Sequence, residues 1–178
     1  LPEDENTSLW ITGLSPDVTY NALLRGIRKC GRVKQVHINV PNKTNPNTCA
    51  AKIIFFARDA AQKLLNQARE GTFLVQSTTP YVVWNRHCTA EEPANGHSRV
   101  LRIIGPPEIV NRTYLETFWT KYFYWVTDRV TEVGEIADGI AIVWYYFGSW
   151  RTQACVARKR LIEHFGDSIV VNYGRDPC

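Results

Sequence analysis

Methionine is absent from all 178 residues, position 1 included, which suggests a piece excised from a longer protein. No stretch reaches the roughly eighteen uninterrupted apolar residues that a membrane-spanning helix needs. The opening "LPEDENTS" is acidic and polar where a secretory signal would be basic and then apolar. These absences argue against membrane and secreted classes and lead us to expect a nuclear or cytoplasmic protein. The five cysteines (Cys30, Cys49, Cys88, Cys155 and Cys178) form no Cys-x-x-Cys pair. A disulfide framework and a zinc ribbon are therefore both disfavoured, and reduced thiols are expected. His87, Cys88 and His97 lie close in sequence, but their spacing matches no zinc pattern and a fourth ligand is missing, so no metal is expected. There is also no nucleophile beside a base at motif spacing and no glycine-rich phosphate loop, so neither catalysis nor a cofactor is expected.

What is present suits a folded soluble chain, at 44% hydrophobic and 21% charged residues. Charge is unevenly divided. Residues 1–86 hold 11 Lys/Arg against 6 Asp/Glu, net +5, whereas residues 99–178 hold 10 against 9, net +1. A polyanionic partner should prefer the first half.

The stretch "HCTAEEPANGHS" at 87–98 has almost nothing apolar and reads as a linker. Either side of it the same order of signals appears. In the first half, "LWITGL" reads as a strand and "TYNALLRGIRKCG" as a helix capped by Thr19, with Leu23, Leu24, Ile27 and Cys30 at helical spacing. Strands "RVKQVHINV" and "CAAKIIFF", a helix "ARDAAQKLLNQAREG" and a strand "YVVWNR" follow. In the second half "VLRIIG" is a strand, and "NRTYLETFWTKYF" a helix capped by Asn111 with Leu115, Trp119 and Tyr122 facing in. "WVTDRVTEV", "GIAIVWYYF", the helix "WRTQACVARKRLIEHFG" and "SIVVNY" complete the series. The expected fold class is α+β: two ferredoxin-like β-α-β-β-α-β domains, each a four-stranded antiparallel sheet with two helices on one face and the other face open. The expected division is an acidic tail at 1–8, a first domain at 9–86, the linker at 87–98 and a second domain at 99–178.

These residues resemble the RNA-recognition-motif family, as a tandem pair. Its first-strand hexamer (aliphatic, aromatic, aliphatic, any, Asn or Gly, Leu) is similar to Leu9-Trp10-Ile11-Thr12-Gly13-Leu14. Its third-strand octamer is matched loosely at Thr48–Phe55 and better at Asp138–Tyr145, "DGIAIVWY". The resemblance implies single-stranded RNA as ligand, bound on the open sheet. It also implies where rings should stand, and the sequence departs there. The octamer ring positions fall at Ala50 and Lys52 in the first half. All three principal ring positions of the second half, Arg102, Ile140 and Ile142, lack a ring.

Alternation along strands assigns faces. With Leu9, Ile11, Ala51, Ile53, Val36, Ile38 and Val83 inward, the first open face is expected to carry Trp10, Thr12, His37, Asn39, Lys52, Ile54, Val82 and Trp84, with Arg86 beside them. Trp10, Thr12, His37, Asn39, Lys52, Ile54, Trp84 and Arg86 are the candidate RNA-binding residues. Rings stack on unpaired bases, and cations meet phosphates. The second open face is expected to carry Ile104, Ile140, Ile142 and Trp144, an aliphatic surface better suited to protein than to bases. The expected function is an RNA-binding protein, with a role in mRNA processing. Its first domain would bind single-stranded RNA, and its second would contact a protein partner, self-associate or assist RNA binding. The alternative is an adaptor in which both sheets dock proteins and neither binds RNA.

Overall fold

The computed structural model describes residues 2–178. In the first half, β1 (Ser8–Leu14), α1 (Tyr20–Gly26), β2 (Val33–Asn39), β3 (Cys49–Phe55), α2 (Arg58–Arg69) and β4 (Tyr81–Trp84) follow one another. The second half repeats the order with β5 (Val100–Gly105), α3 (Arg112–Trp119), β6 (Thr127–Ala137), β7 (Ile140–Phe147), α4 (Cys155–Phe165) and β8 (Val170–Tyr173). Each set closes one four-stranded antiparallel sheet, in the order β2-β3-β1-β4 and β6-β7-β5-β8. The α+β ferredoxin-like class is therefore the observed one, twice over.

Local chemistry explains the helix starts. Thr19 accepts from the Ala22 N–H at 3.1 Å to begin α1, and Asn111 accepts from the Tyr114 N–H at 2.9 Å to begin α3. Both helices stop earlier than their periodicity suggested. The α1 cap, Ile27, is already extended at φ −82°, ψ 111°, and Lys29 has positive φ; Ile27 and Cys30 reach the core from a loop. α3 stops at Trp119, so Tyr122, expected to face in, is 41% exposed beneath the Arg160 guanidinium. The Asp138-Gly139 pair joins β6 to β7 with positive φ at both residues, as a two-residue hairpin turn that matches strand twist requires.

The described chain divides into two compact units, one comprising residues 2–95 with Asp176–Cys178 and the other Gly96–Arg175. The first core joins Leu9, Ile11, Val36, Ile53 and Phe55 from the sheet to Leu23, Leu64 and Leu65 from the helices. Position 1 of the acidic opening lies outside the described residues, Glu3–Glu5 form a short 3-10 turn, and Asn6, Thr7 and Ser8 are buried. The segment after β4 is pinned to the same unit: Thr7 N–H donates to Thr89 O at 2.8 Å, Glu92 N–H to Phe56 O at 3.0 Å, and Lys34 pairs with Glu92. Asp176 accepts from the Val33 N–H at 2.9 Å, and Cys178 joins this core.

The second core is built on Leu101, Ile103, Val143, Tyr145 and Phe147 against Leu115, Trp119, Ala157 and Leu161. Burial pushes the Tyr145 hydroxyl up to about 12. That hydroxyl accepts from Trp125 Nε1 and donates to Glu116, each at 2.8 Å. Arg99 and Asp128, paired at 2.9 Å with 0% and 5% of their side chains exposed, lock the start of β5 to β6.

Candidate nucleic-acid interface

Pairing register decides which side chains share the open face of the first sheet. Trp10 lies opposite Lys52 on one side and Val83 on the other, and Lys52 lies opposite His37. The row across the sheet is therefore His37, Lys52, Trp10, Val83. Further along, Asn39 pairs with Ala50, and Thr12 with Tyr81. His37 and Tyr81 are exposed, while Trp10, Thr12, Asn39 and Lys52 are partly so. Directly opposed side chains stand about 4.5–5.5 Å apart at Cβ, so a ring and a cation, Trp10 and Lys52, are neighbours on this face.

Three sequence-based placements change. Trp84 lies opposite the inward Leu9, packs against the helix-side core and sits beneath Arg58, whose guanidinium carbon is 3.7 Å from the ring centroid. It is not on the open face. Its neighbours move with it: Val82, opposite Ile11, is buried, and Val83 faces outward. The reason is that "YVVW" has no apolar alternation of its own, so only hydrogen bonding to β1 sets its phase. Ile54 does share the outward face, opposite Ser8, but is only 7% exposed and offers no free surface. Arg86 is exposed beyond the end of β4. There it lines, with Trp84, Ala68, Arg69 and the β4 residues Tyr81 and Val83, a groove of about 620 Å³ along the β4 edge.

The residue that sequence reasoning missed is Tyr81, 68% exposed and outward. Its signal was available only through the β1–β4 register, which the misplacement of Trp84 concealed.

The second open face has the same geometry and different chemistry. Arg102 lies opposite Trp144 and Asn172, and Trp144 opposite Thr131. In the next row Val133, Ile142, Ile104 and Val170 stand side by side, and Ile140 lies opposite Ala137. Ile104 and Ile142 are partly buried, and Val133, Ile140 and Val170 are 41%, 42% and 50% exposed. Trp144 lies down on the sheet over Gly174, where a Cβ would come within 2.9 Å of its ring; only glycine leaves that space. Outward alternation also continues one step past Trp144 to Tyr146, over which the Arg129 guanidinium sits at 4.2 Å. Sequence reading stopped at Trp144 and missed this pair, along with Val133 and Val170 on the edge strands. Among the described residues no helix is long and apolar enough to cross a membrane.

Residues 9–76 match the family model of the RNA recognition motif. Among solved structures, the chain is similar to the Sex-lethal RNA recognition domains 1 and 2 from Drosophila melanogaster, at 19% identity over 95% of this chain and 100% of that one, TM-score 0.35. It is also similar to the first two such domains of yeast poly(U)-binding protein, at 12% identity over 94% and 99%, TM-score 0.38. The RNA-binding domain of Hrp1 in complex with RNA is 14% identical over 96% and 98%, TM-score 0.36. No curated protein matches the chain.

Proposed function

On the premise that residues 9–76 are an RNA recognition motif followed by a second domain of the same topology, we propose that the chain binds single-stranded RNA on its first sheet. The observation that carries this reading is the outward pair of Trp10 and Lys52, flanked by His37. A base stacked on Trp10 gains about 1–3 kcal/mol, and Lys52 meets a phosphate alongside it. Thr12, Asn39 and His37 supply donors and acceptors to base edges. The net charge of +5 over residues 1–86 adds attraction at longer range. A role in mRNA processing, in the nucleus or cytoplasm, belongs to the same reading.

The second sheet is proposed to contact protein, through the aliphatic row of Ile104, Ile142, Val133 and Val170 with Ile140 beside it. Two features support an auxiliary RNA role at its other end: Trp144 with Arg102 (5.6 Å) and Tyr146 with Arg129 (4.2 Å). Fluorescence anisotropy with a labelled single strand and a matched duplex, at two salt concentrations, tests the proposal. Preference for the single strand, with affinity falling as salt rises, is the expected result. Absence of binding at low salt leaves the adaptor reading, in which both sheets dock proteins.

A further inference from the structure

We infer that Tyr81 is the second base platform of the first sheet, so that single-stranded RNA crosses from Trp10 on β1 toward the β4 edge rather than toward β3. This inference rests on the RNA reading above and adds a binding residue and a path to it.

The β3 strand cannot supply the second ring. Its outward positions are Ala50, Lys52 and Ile54; none is aromatic, and Ile54 is buried. A base placed there would meet a methyl group or an ammonium stem.

On the other side of Trp10 the situation reverses. Val83 is directly opposite Trp10 and Tyr81 lies two residues before it, which makes Tyr81 the diagonal neighbour of Trp10 on the same face. Diagonal pairs stand about 7–8 Å apart, within reach of long side chains and a distance one unstacked nucleotide step can span. Val83, opposite Trp10 and partly buried, is the small aliphatic residue of β4 on this face, and Tyr81 is its ring.

The environment of Tyr81 supports a ligand-facing role over a packing one. The side chain is 68% exposed and belongs to neither core cluster. Buried Pro80 precedes it and fixes the backbone at the entry of the strand. The order across the face is then Lys52, Trp10, Tyr81: a cation, a ring and a second ring. A strand laid along it places a phosphate at Lys52 and successive bases on Trp10 and Tyr81. Stacking is tolerant of base identity, so the ligand class is single-stranded RNA of at least a dinucleotide step.

The test uses the full chain with a fluorescein-labelled single-stranded RNA of mixed sequence, comparing the unmodified protein with Tyr81→Ala, Tyr81→Phe and Trp10→Ala, each checked for folding by circular dichroism. Tyr81→Ala should weaken binding by about five- to 150-fold, as expected from about 1–3 kcal/mol per stacked base, while Tyr81→Phe keeps the ring and stays within about twofold. Photo-crosslinking through 4-thiouridine should mark peptides containing Trp10 and Tyr81. If Tyr81→Ala binds as well as the unmodified protein while Trp10→Ala is weakened, the path does not run over β4 and this inference is overturned with the RNA reading intact. If the unmodified protein binds no single strand at low salt, the RNA reading fails and takes the inference with it.

Discussion

The two open sheets show how little a shared topology says about what a surface does. Equivalent rows read His37, Lys52, Trp10, Val83 in the first and Thr131, Trp144, Arg102, Asn172 in the second. On the central strand the ring is Trp10 in one domain and is replaced by Arg102 in the other; on the neighbouring strand Lys52 is replaced by Trp144. Thr12, next outward on β1, corresponds to Ile104 on β5, and the edge ring Tyr81 to the aliphatic Val170. Pleating and pairing decide that these positions face outward. Whether the face stacks bases or buries against protein is decided by the side chains placed there. Both rows hold one ring with one cation alongside, exchanged between the strands; what differs is the next row, Thr12 and Tyr81 in the first sheet and an aliphatic run through Ile104, Ile142 and Val170 in the second, whose burial is worth about 1.5–3 kcal/mol per fully covered isoleucine.

The comparison can be broken most severely at Asp128. Replacing it by alanine leaves Arg99 as a buried charge without this carboxylate, at an expected cost of about 3–5 kcal/mol to the second unit. Denaturant unfolding reads the loss, and RNA affinity measured in parallel should stay near that of the unmodified chain. A matching fall in affinity would mean that both sheets share the RNA. Next, Ile142→Glu puts a carboxylate into the aliphatic row. It costs little in water but several kcal/mol in a dry interface. Sedimentation and pull-down comparisons should show that self-association or capture of a protein partner is abolished while RNA binding is retained. Failure to bind RNA, with protein association unchanged, would make that strand an aliphatic RNA platform instead.

Trp10→Ala should cost about 1–3 kcal/mol of RNA affinity without unfolding. Trp84→Ala is its counterpart on the helix side: it should lower thermal stability by removing a ring packed against the core and Arg58, and leave RNA affinity almost unchanged. Equal effects of the two on RNA would contradict the faces described here. The smallest effect is expected at Lys52→Ala, which should weaken all sequences alike and flatten the salt dependence by about 0.7, the single-strand slope per phosphate.

Much of the fold was legible along the chain because its signals are local. Alternation in "LWITGL" and "GIAIVWYYF", caps at Thr19 and Asn111, and the Asp138-Gly139 turn each report on a few neighbouring residues, and their doubled order specifies two β-α-β-β-α-β units. The same alternation placed Trp10, Lys52, Ile104, Ile142 and Trp144 outward, because in β1, β3, β5 and β7 the buried residues are unambiguous. It failed at β4. Four consecutive apolar or aromatic residues carry no phase, so Trp84 was assigned to the wrong face and Tyr81 was overlooked.

The sequence alone therefore determined the element order, the basic first half and the chemistry available on the central strands, since these depend on residue type and short spacing. Only the tertiary structure decided which edge side chains join those strands. It turned Trp84 under Arg58, set Tyr81 opposite Thr12 on the open face, closed off Ile54 and laid Trp144 over Gly174. The physical reason is that an edge strand takes its phase from hydrogen bonds to a partner many residues away, and a one-residue shift in that pairing moves every side chain to the opposite face.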